Sequence, residues 1–371
     1  MREYLDGNSA VVRGALAAGC TFFAGYPITP ASGILMAMMS ELPRAGGIAI
    51  QGEDEIASIG MCIGAAMTGA RAMTATSGPG ISLYSENIGL AVMGEVPLVI
   101  VDVQRLGPAT GGATTVGQGD VQFVRWGTAG GYPIIALAPS SIPECYTLTI
   151  RAFELAERFR CPVFVLTDKE LGMTLATVEA NAFRAPQLSE RELAISGPPY
   201  RYDPPDQVSP LHRYGLGDTV RFTGSTHDEA ALITKDPRSV AALNRHLVAK
   251  IEEHVDEIAL VEEDLQPGAR TLVISYGVTA GAARLAVEQA RAEGTAVSGL
   301  VVKSLWPVPE AAIGAALEGV VRVVVPELNL GQYRREIERL AVGREVIGLN
   351  RVDGELIDVD EIVERIGERT P

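Results

Sequence analysis

Between residues 20 and 168, short apolar runs alternate with longer stretches of helical character, and few folds accommodate that alternation. The runs are CTFFAG (20–25), GIAIQ (47–51), RAMTATS (71–77), PLVIVDVQ (97–104), PIIALAP (133–139) and CPVFVLTD (161–168). Between them lie PASGILMAMMSEL (30–42), residues 53–69, residues 82–94, and a stretch from Ser141 to about Phe159. Ahead of them, Asn8 or Ser9 is placed to cap a helix running through Ala18, with Val11, Val12, Ala15 and Leu16 on one face. Strands that alternate with helices in this way predict an α/β fold with a doubly wound parallel sheet. In such sheets ligands sit at the carboxyl ends of the strands.

The pattern weakens between about 175 and 265, where NAFRAPQLSERELAISGPPYRYDPPDQVSP is rich in proline and polar groups. An amphipathic helix, HLVAKIEEHVDEIAL (246–260), leads into a second α/β unit. There TLVISYG (271–277), AVSGLVVKSL (296–305) and RVVVPE (322–327) read as strands, and AGAARLAVEQARAEG (280–294) as a helix. The expected division is residues 1–195, a connecting segment 196–265, and residues 266–371.

Composition removes several function classes. A net charge of −15 gives no electrostatic footprint for nucleic acid or an anionic membrane. No run reaches the roughly 18 to 20 apolar residues of a membrane span, and MREYLDGNSA lacks a signal-peptide core. Cys20, Cys62, Cys145 and Cys161 lie apart in apolar stretches with no CxxC pair, so the chain itself offers neither a zinc nor an iron–sulfur site. Buried free thiols imply a reducing cytoplasm. His212, His227, His246 and His254 lack metal-ligand spacing and are expected to be solvated surface residues. No GxGxxG follows a strand, which disfavours a nucleotide-binding dehydrogenase.

Three segments follow predicted strands, where a site belongs: YPITP (26–30), TSGPG (76–80) and VQRLGPATG (103–111). The two prolines of YPITP fix a rigid loop, which admits either a structural turn or a ligand contact through Thr29. TSGPG is either a strand-to-helix turn or a place where glycine lets a ligand approach the backbone. A fourth segment, QGEDEIASIGMCIGAA (51–66), puts Glu53, Asp54 and Glu55 at the head of a stretch that carries no charge from Ile56 to Ala70. Acids suit a helix N-terminus, and first-turn acids is the reading for Glu53 and Asp54.

Glu55 ahead of Gly64 on a helix of small residues, then a strand and TSGPG, resembles the pyrimidine-binding domain of thiamine diphosphate enzymes. With YPITP, QGEDEIASIG, ATSGPGISL and VPLVIVDVQRLGPATG, nearly the whole chain resembles the alpha subunit of 2-oxoacid:ferredoxin oxidoreductases, most of all the 2-oxoglutarate branch. SLWPVP (304–309) and VPELNLGQ (325–332) resemble the transketolase C-terminal-like domain that follows in that family. The resemblance implies thiamine-dependent oxidative decarboxylation of 2-oxoglutarate with coenzyme A to succinyl-CoA and CO₂, reducing ferredoxin and reversible. The same chemistry on pyruvate, branched-chain or aryl 2-oxoacids, or a non-catalytic binding scaffold, are the alternatives.

The resemblance also implies residue roles. Glu55 meets the cofactor's aminopyrimidine N1′ and favours the imino tautomer, whose nitrogen takes the C2 proton. Arg105 and Thr29 meet the 2-oxoacid carboxylate, a geometry that suits a guanidinium fork. Tyr26, Pro27, Ile28, Ser77 and Gly78 join Glu55 against the cofactor. GGATT within the substrate loop departs from the family's usual run, which leaves the side-chain specificity open. The family's diphosphate and Mg²⁺ motif, GDG followed by Asn, is missing; Gly217, Asp218 and Thr219 with Asn244 match it only by chance. The resemblance therefore implies a beta subunit that carries the diphosphate site, Mg²⁺ and a [4Fe–4S] cluster, in an (αβ)₂ assembly served by ferredoxin.

Overall fold

Caps and breakers in the sequence set where each element starts, and they move several boundaries from their expected places. The structure, a computed structural model, describes residues 2–184, 193–194, 196–215, 217 and 219–367. Ile195, at the expected end of the first unit, residues 185–192 of the proline-rich connection, and Asp218 lie outside the described residues. The first helix is Gly7–Ala17, and its cap is Asp6, whose side chain accepts from Ser9 N. Asn8 is instead buried and donates through Nδ2 to Pro30 O at 2.9 Å, so it holds a loop rather than a helix end.

The helix expected from Ser82 begins at Gly78, because Pro79 at its second position needs no N–H partner there. It runs only to Leu83 and is followed by Ser85–Met93. The helix expected from His246 begins at Pro237, capped by Asp236, and ends at Glu252.

Strand β1 (Arg2–Leu5) precedes the first helix, and β2 (Phe22–Gly25), β3 (Ile48–Gln51), β4 (Ala72–Thr76), β5 (Leu98–Gln104), β6 (Ile135–Leu137) and β7 (Pro162–Asp168) match the apolar runs. β8 (Ala176–Glu179) pairs antiparallel with β1. The second half carries β9 (Val261–Asp264), β10 (Thr271–Ser275), β11 (Val297–Val302), β12 (Ser304–Trp306), β13 (Arg322–Glu327) and β14 (Glu345–Asn350).

Among the described residues the first sheet has seven strands in the order β12-β6-β7-β5-β4-β2-β3, and the second has five in the order β14-β13-β10-β11-β9. β2 through β7 are parallel, and the chain winds outward from β2 to β3 before returning to β4 on the other side of β2. The switch point therefore lies beyond the carboxyl ends of β2 and β4.

AVSGLVVKSL was expected to be one strand and is two. The chain leaves the second sheet at Val302 and crosses at Lys303, which is ion-paired to Glu144 at 2.6 Å and Glu262 at 2.8 Å. It then joins the first sheet as β12, antiparallel to β6. The run stays apolar because both strands are largely buried, so hydropathy carries no sign of the change. One cluster of buried side chains accordingly extends from Ile59, Ile81 and Ile100 through Trp306 to Leu272 and Val323.

The histidines also differ from expectation. His212, His227 and His246 are buried, and His254 is half-buried between Asp206 and Glu257. His246 has both ring nitrogens engaged, Nδ1 with Pro205 O at 2.8 Å and Nε2 with Glu95 Oε2 at 2.9 Å. Lys250 Nζ donates to the same carboxylate oxygen at 3.0 Å.

Burial alone would raise the Glu95 carboxyl. The Lys250 charge, the His246 hydrogen bond and charge, and Arg160 override it and hold Glu95 below its ordinary value. A lowered folded-state value stabilises the fold above the ordinary glutamate range, and that stability is lost as pH falls through and below it. Glu95→Gln should cost about 3 to 5 kcal/mol, because it leaves buried cations without their counter-charge. A denaturant titration followed by tryptophan fluorescence checks this; a loss under about 1 kcal/mol would mean the cluster is merely tolerated.

Candidate active site

The three acids of QGEDEIASIG have three different fates. Glu53 is exposed and precedes the helix. Asp54 is the cap, its side chain accepting from Ala57 N at 2.7 Å. Both were expected as first-turn acids, and neither is within the helix, since it starts at Glu55. Glu55 is the buried one, only 7% exposed. Its side chain runs over TSGPG: a Cβ added to Gly80 would stand 2.8 Å from Glu55 Cγ and would also collide with Thr76 Oγ1. The second glycine of TSGPG is thus required by close approach, with the glutamate on one side and the strand end on the other. Burial, above all, raises the nearby Tyr84 phenol, with the Glu55 charge among the lesser causes.

YPITP leaves the carboxyl end of β2 as a loop pinned from two directions. Asn8 holds Pro30 O, and Arg105, at the end of β5, donates Nη1 to Thr29 O at 2.6 Å. Arg105 is 6% exposed, and its Nε has no hydrogen-bond partner among the described residues. Within the same loop Tyr26 and Pro27 are exposed while Ile28 and Thr29 are half-buried. Ser77 follows β4 with a fully buried Oγ that meets no hydrogen-bond partner among the described residues, and it makes no side-chain cap to the helix it precedes. Gly78 follows beside Asp120, where an added Cβ would be 3.4 Å from a carboxylate oxygen. The structure thus places all eight candidates on the ends of β2, β4 and β5 and the head of the helix after β3. It puts Arg105 directly on Thr29 and Glu55 directly on Gly80.

Behind Arg105 the loop folds back on itself, with Leu106 N donating to Thr115 O at 2.9 Å and Gly112 N to Leu106 O at 2.8 Å. Gly111, at φ +47°, has Leu106 O where a side chain would go. The next segment is gripped by VPELNLGQ. Gln118 Oε1 accepts from Leu328 N, Asn329 Nδ2 donates to Gln118 O at 2.7 Å, and Gln332 Nε2 donates to Gly119 O at 2.6 Å. SLWPVP adds Trp306 Nε1 to Val121 O at 3.1 Å. Trp306, Pro307 and Val308 also line a cavity of about 600 Å³ with Trp126 and Arg125. None of the eight candidate residues borders it.

Four polar side chains of this neighbourhood escaped the sequence reading: Asp102, Gln104, Gln118 and Asp120, of which all but Asp120 are buried outright. Asp102 carried a usable signal, since it is the one charge in PLVIVDVQ. A buried acid in a central strand calls for an explanation.

The comparisons with known proteins identify the family. The family described as pyruvate flavodoxin/ferredoxin oxidoreductase, thiamine diP-binding, matches residues 13–245, and pyruvate:ferredoxin oxidoreductase core domain II matches residues 269–362. The chain is 42% identical to the 2-oxoglutarate synthase subunit KorA of Methanothermobacter thermautotrophicus, over 98% of this chain and 97% of that one. It is 38% identical to the ketoisovalerate oxidoreductase subunit VorB of the same organism, over 99% and 97%. The solved 2-oxoglutarate:ferredoxin oxidoreductase from Magnetococcus marinus, with 2-oxoglutarate, coenzyme A and succinyl-CoA bound, matches with a TM-score of 0.92 and 32% identity. That match covers 98% of this chain but 64% of the other's length. A split-gene transketolase matches with a TM-score of 0.55 at 12% identity and shares the fold alone.

Proposed function

Because this chain belongs to the pyruvate flavodoxin/ferredoxin oxidoreductase family, we propose that it is the alpha-type subunit of a 2-oxoglutarate:ferredoxin oxidoreductase. The complex converts 2-oxoglutarate and coenzyme A to succinyl-CoA and CO₂, passing two electrons singly to ferredoxin, and runs in reverse with a strong reductant. The observation that carries this reading is the joint placement of a buried Glu55 over TSGPG and a buried Arg105 on Thr29, at one switch point of the sheet.

The residues fit thiamine diphosphate. Glu55 offers a carboxyl group removed from water, and Ser77 offers a buried hydroxyl that no group of the described residues satisfies. When bound, the cofactor supplies the carbon that attacks the 2-oxo group and stabilises the charge left by decarboxylation. Glu55 would hold the cofactor by a hydrogen bond to its aminopyrimidine, with Tyr26, Pro27, Ile28, Ser77 and Gly78 beside it. Arg105 and Thr29 hold the substrate carboxylate, and the rigid YPITP loop keeps that contact in place. In this reading residues 1–195 supply the pyrimidine-binding unit, which also takes β12, and residues 266–371 the transketolase C-terminal-like unit, which also takes β9 from the end of the 196–265 connection. A beta subunit adds the diphosphate site with Mg²⁺ and a [4Fe–4S] cluster to make an (αβ)₂ enzyme of the cytoplasm. Among the described residues no helix is long and apolar enough to cross a membrane.

The likeness to a ketoisovalerate oxidoreductase subunit, together with the divergent GGATT run, favours branched-chain 2-oxoacids as the second reading. Competing turnover decides between them. A higher kcat/KM for 2-oxoglutarate than for 2-oxoisovalerate or pyruvate supports the first, and the opposite order replaces the substrate while leaving the chemistry. The chain purified by itself should be colourless, and should neither decarboxylate 2-oxoacids nor reduce ferredoxin. An absorption spectrum and a methyl viologen assay test this, and turnover by the single chain would refute the division of labour.

A further inference from the structure

Asp102 lies on β5 in register with Thr76 of β4, with zero exposure, and among the described residues neither of its carboxyl oxygens meets an N–H donor. Oδ2 of Asp120 is in the same condition. What acts on each carboxyl is the other. Two neighbouring carboxyls kept from water do not both ionise, so one of them holds a proton.

Asp120 sits where the site's two halves meet. Its backbone N–H donates to Gln104 Oε1 at 3.1 Å, and its carboxyl lies beside Gly78 of the cofactor loop. Residues on both sides of it are clamped to the second sheet's VPELNLGQ and to Trp306. Asp120 is acted on by the Asp102 carboxyl, from β5, and by the Arg105 charge, from the loop after it; the charge that acts on Asp102 is that of Asp120.

We propose that Asp102 and Asp120 are a charge-regulating pair of positioning residues, which takes up a proton when an anionic carboxylate binds at Arg105. The proposal rests on the oxoacid site read above. Asp102 carries the shared proton, because burial first and the Asp120 charge second raise its carboxyl well above the ordinary range. Burial raises Asp120 to about 6, against the lowering by the Asp102 carboxyl and the Arg105 charge. An incoming carboxylate offsets that Arg105 charge and adds repulsion of its own, so Asp120 holds its proton more tightly in the complex than in the free site. Linkage then runs both ways: substrate draws in a proton, and a lower pH favours substrate. The pair keeps a site for a dianion from presenting two negative charges of its own.

The test uses the assembled complex and glutarate, a dicarboxylate without the oxo group, so that no turnover intrudes. Calorimetry at about pH 6.5, in two buffers of different protonation heat, should find roughly half a proton taken up per glutarate bound. Asp120→Asn should take up none and bind glutarate roughly tenfold tighter at about pH 7.5. Asp102→Asn, whose amide is neutral like the protonated carboxyl it replaces, should keep the uptake. In turnover, kcat/KM for 2-oxoglutarate should fall as pH rises through the Asp120 range, with kcat unchanged and the Asp120→Asn profile flat. Glutarate binding without proton uptake, or equal uptake in Asp120→Asn, overturns the pair's role and leaves the site reading standing. If neither glutarate nor 2-oxoglutarate binds the wild-type complex, the site reading falls and the pair's role with it.

Discussion

Glu55→Gln should slow hydrogen exchange at C2 of bound thiamine diphosphate by roughly 10² to 10⁴, the usual worth of a positioned acid–base group. The amide keeps the size of the side chain, which matters because Gly80 leaves no spare room beside Glu55 Cγ. It also leaves the helix intact, since the cap is Asp54 and not Glu55. Folding and assembly should therefore be unaffected, and cofactor binding should weaken only modestly. What the amide cannot do is hold the aminopyrimidine in its imino form through a carboxyl hydrogen bond.

Glu53→Gln is the internal control. Glu53 is exposed and outside the helix, so its loss should cost less than about 1 kcal/mol of stability and leave exchange untouched. Proton exchange followed by NMR in deuterated water, on the reconstituted complex, separates the cases. Wild-type exchange in Glu55→Gln would remove the carboxylate from the mechanism, whatever the fate of steady-state turnover.

The sequence reading reached the alternating sheet of the first unit and all of its central strands, because both faces of those strands are buried and the apolar runs are continuous. It located Glu55 through a resemblance. The structure shows that Glu55 alone of the three acids is buried, against Gly80, while Glu53 and Asp54 are exposed. What it missed follows from the limits of local pattern. β14 (EVIGLN) is only half-buried and β9 (VEED) carries three acids, so neither reads as a core strand. The passage of Lys303 from one sheet to the other has no local signature at all.

His246 illustrates a different gap. A lone histidine on an amphipathic helix reads as a surface residue until Glu95, far off in sequence, is brought to its Nε2. Likewise the grip of VPELNLGQ on Gln118 and Gly119 depends on contacts across the two sheets, which no spacing within either motif encodes.

Arg105→Ala should lower kcat/KM for 2-oxoglutarate by roughly 30- to 1000-fold, equivalent to about 2 to 4 kcal/mol for a charged hydrogen-bonded contact. Two losses are folded into that figure. The substrate carboxylate loses its cation, and Thr29 O loses the Nη1 donor that pins the YPITP loop. They can be told apart. Arg105→Lys keeps a positive charge but cannot serve Thr29 O and a planar carboxylate with one fork, so it should recover little of the loss. Free guanidinium added to Arg105→Ala should restore part of kcat/KM if the missing charge dominates, because the cavity left behind is buried and shaped for that ion. If the loop contact dominates, rescue should fail, and the C2 exchange rate, which needs no substrate, should fall as well. Unchanged C2 exchange together with rescue by guanidinium assigns Arg105 to the oxoacid. A variant that kept wild-type kcat/KM would show that the carboxylate is met by a residue other than Arg105.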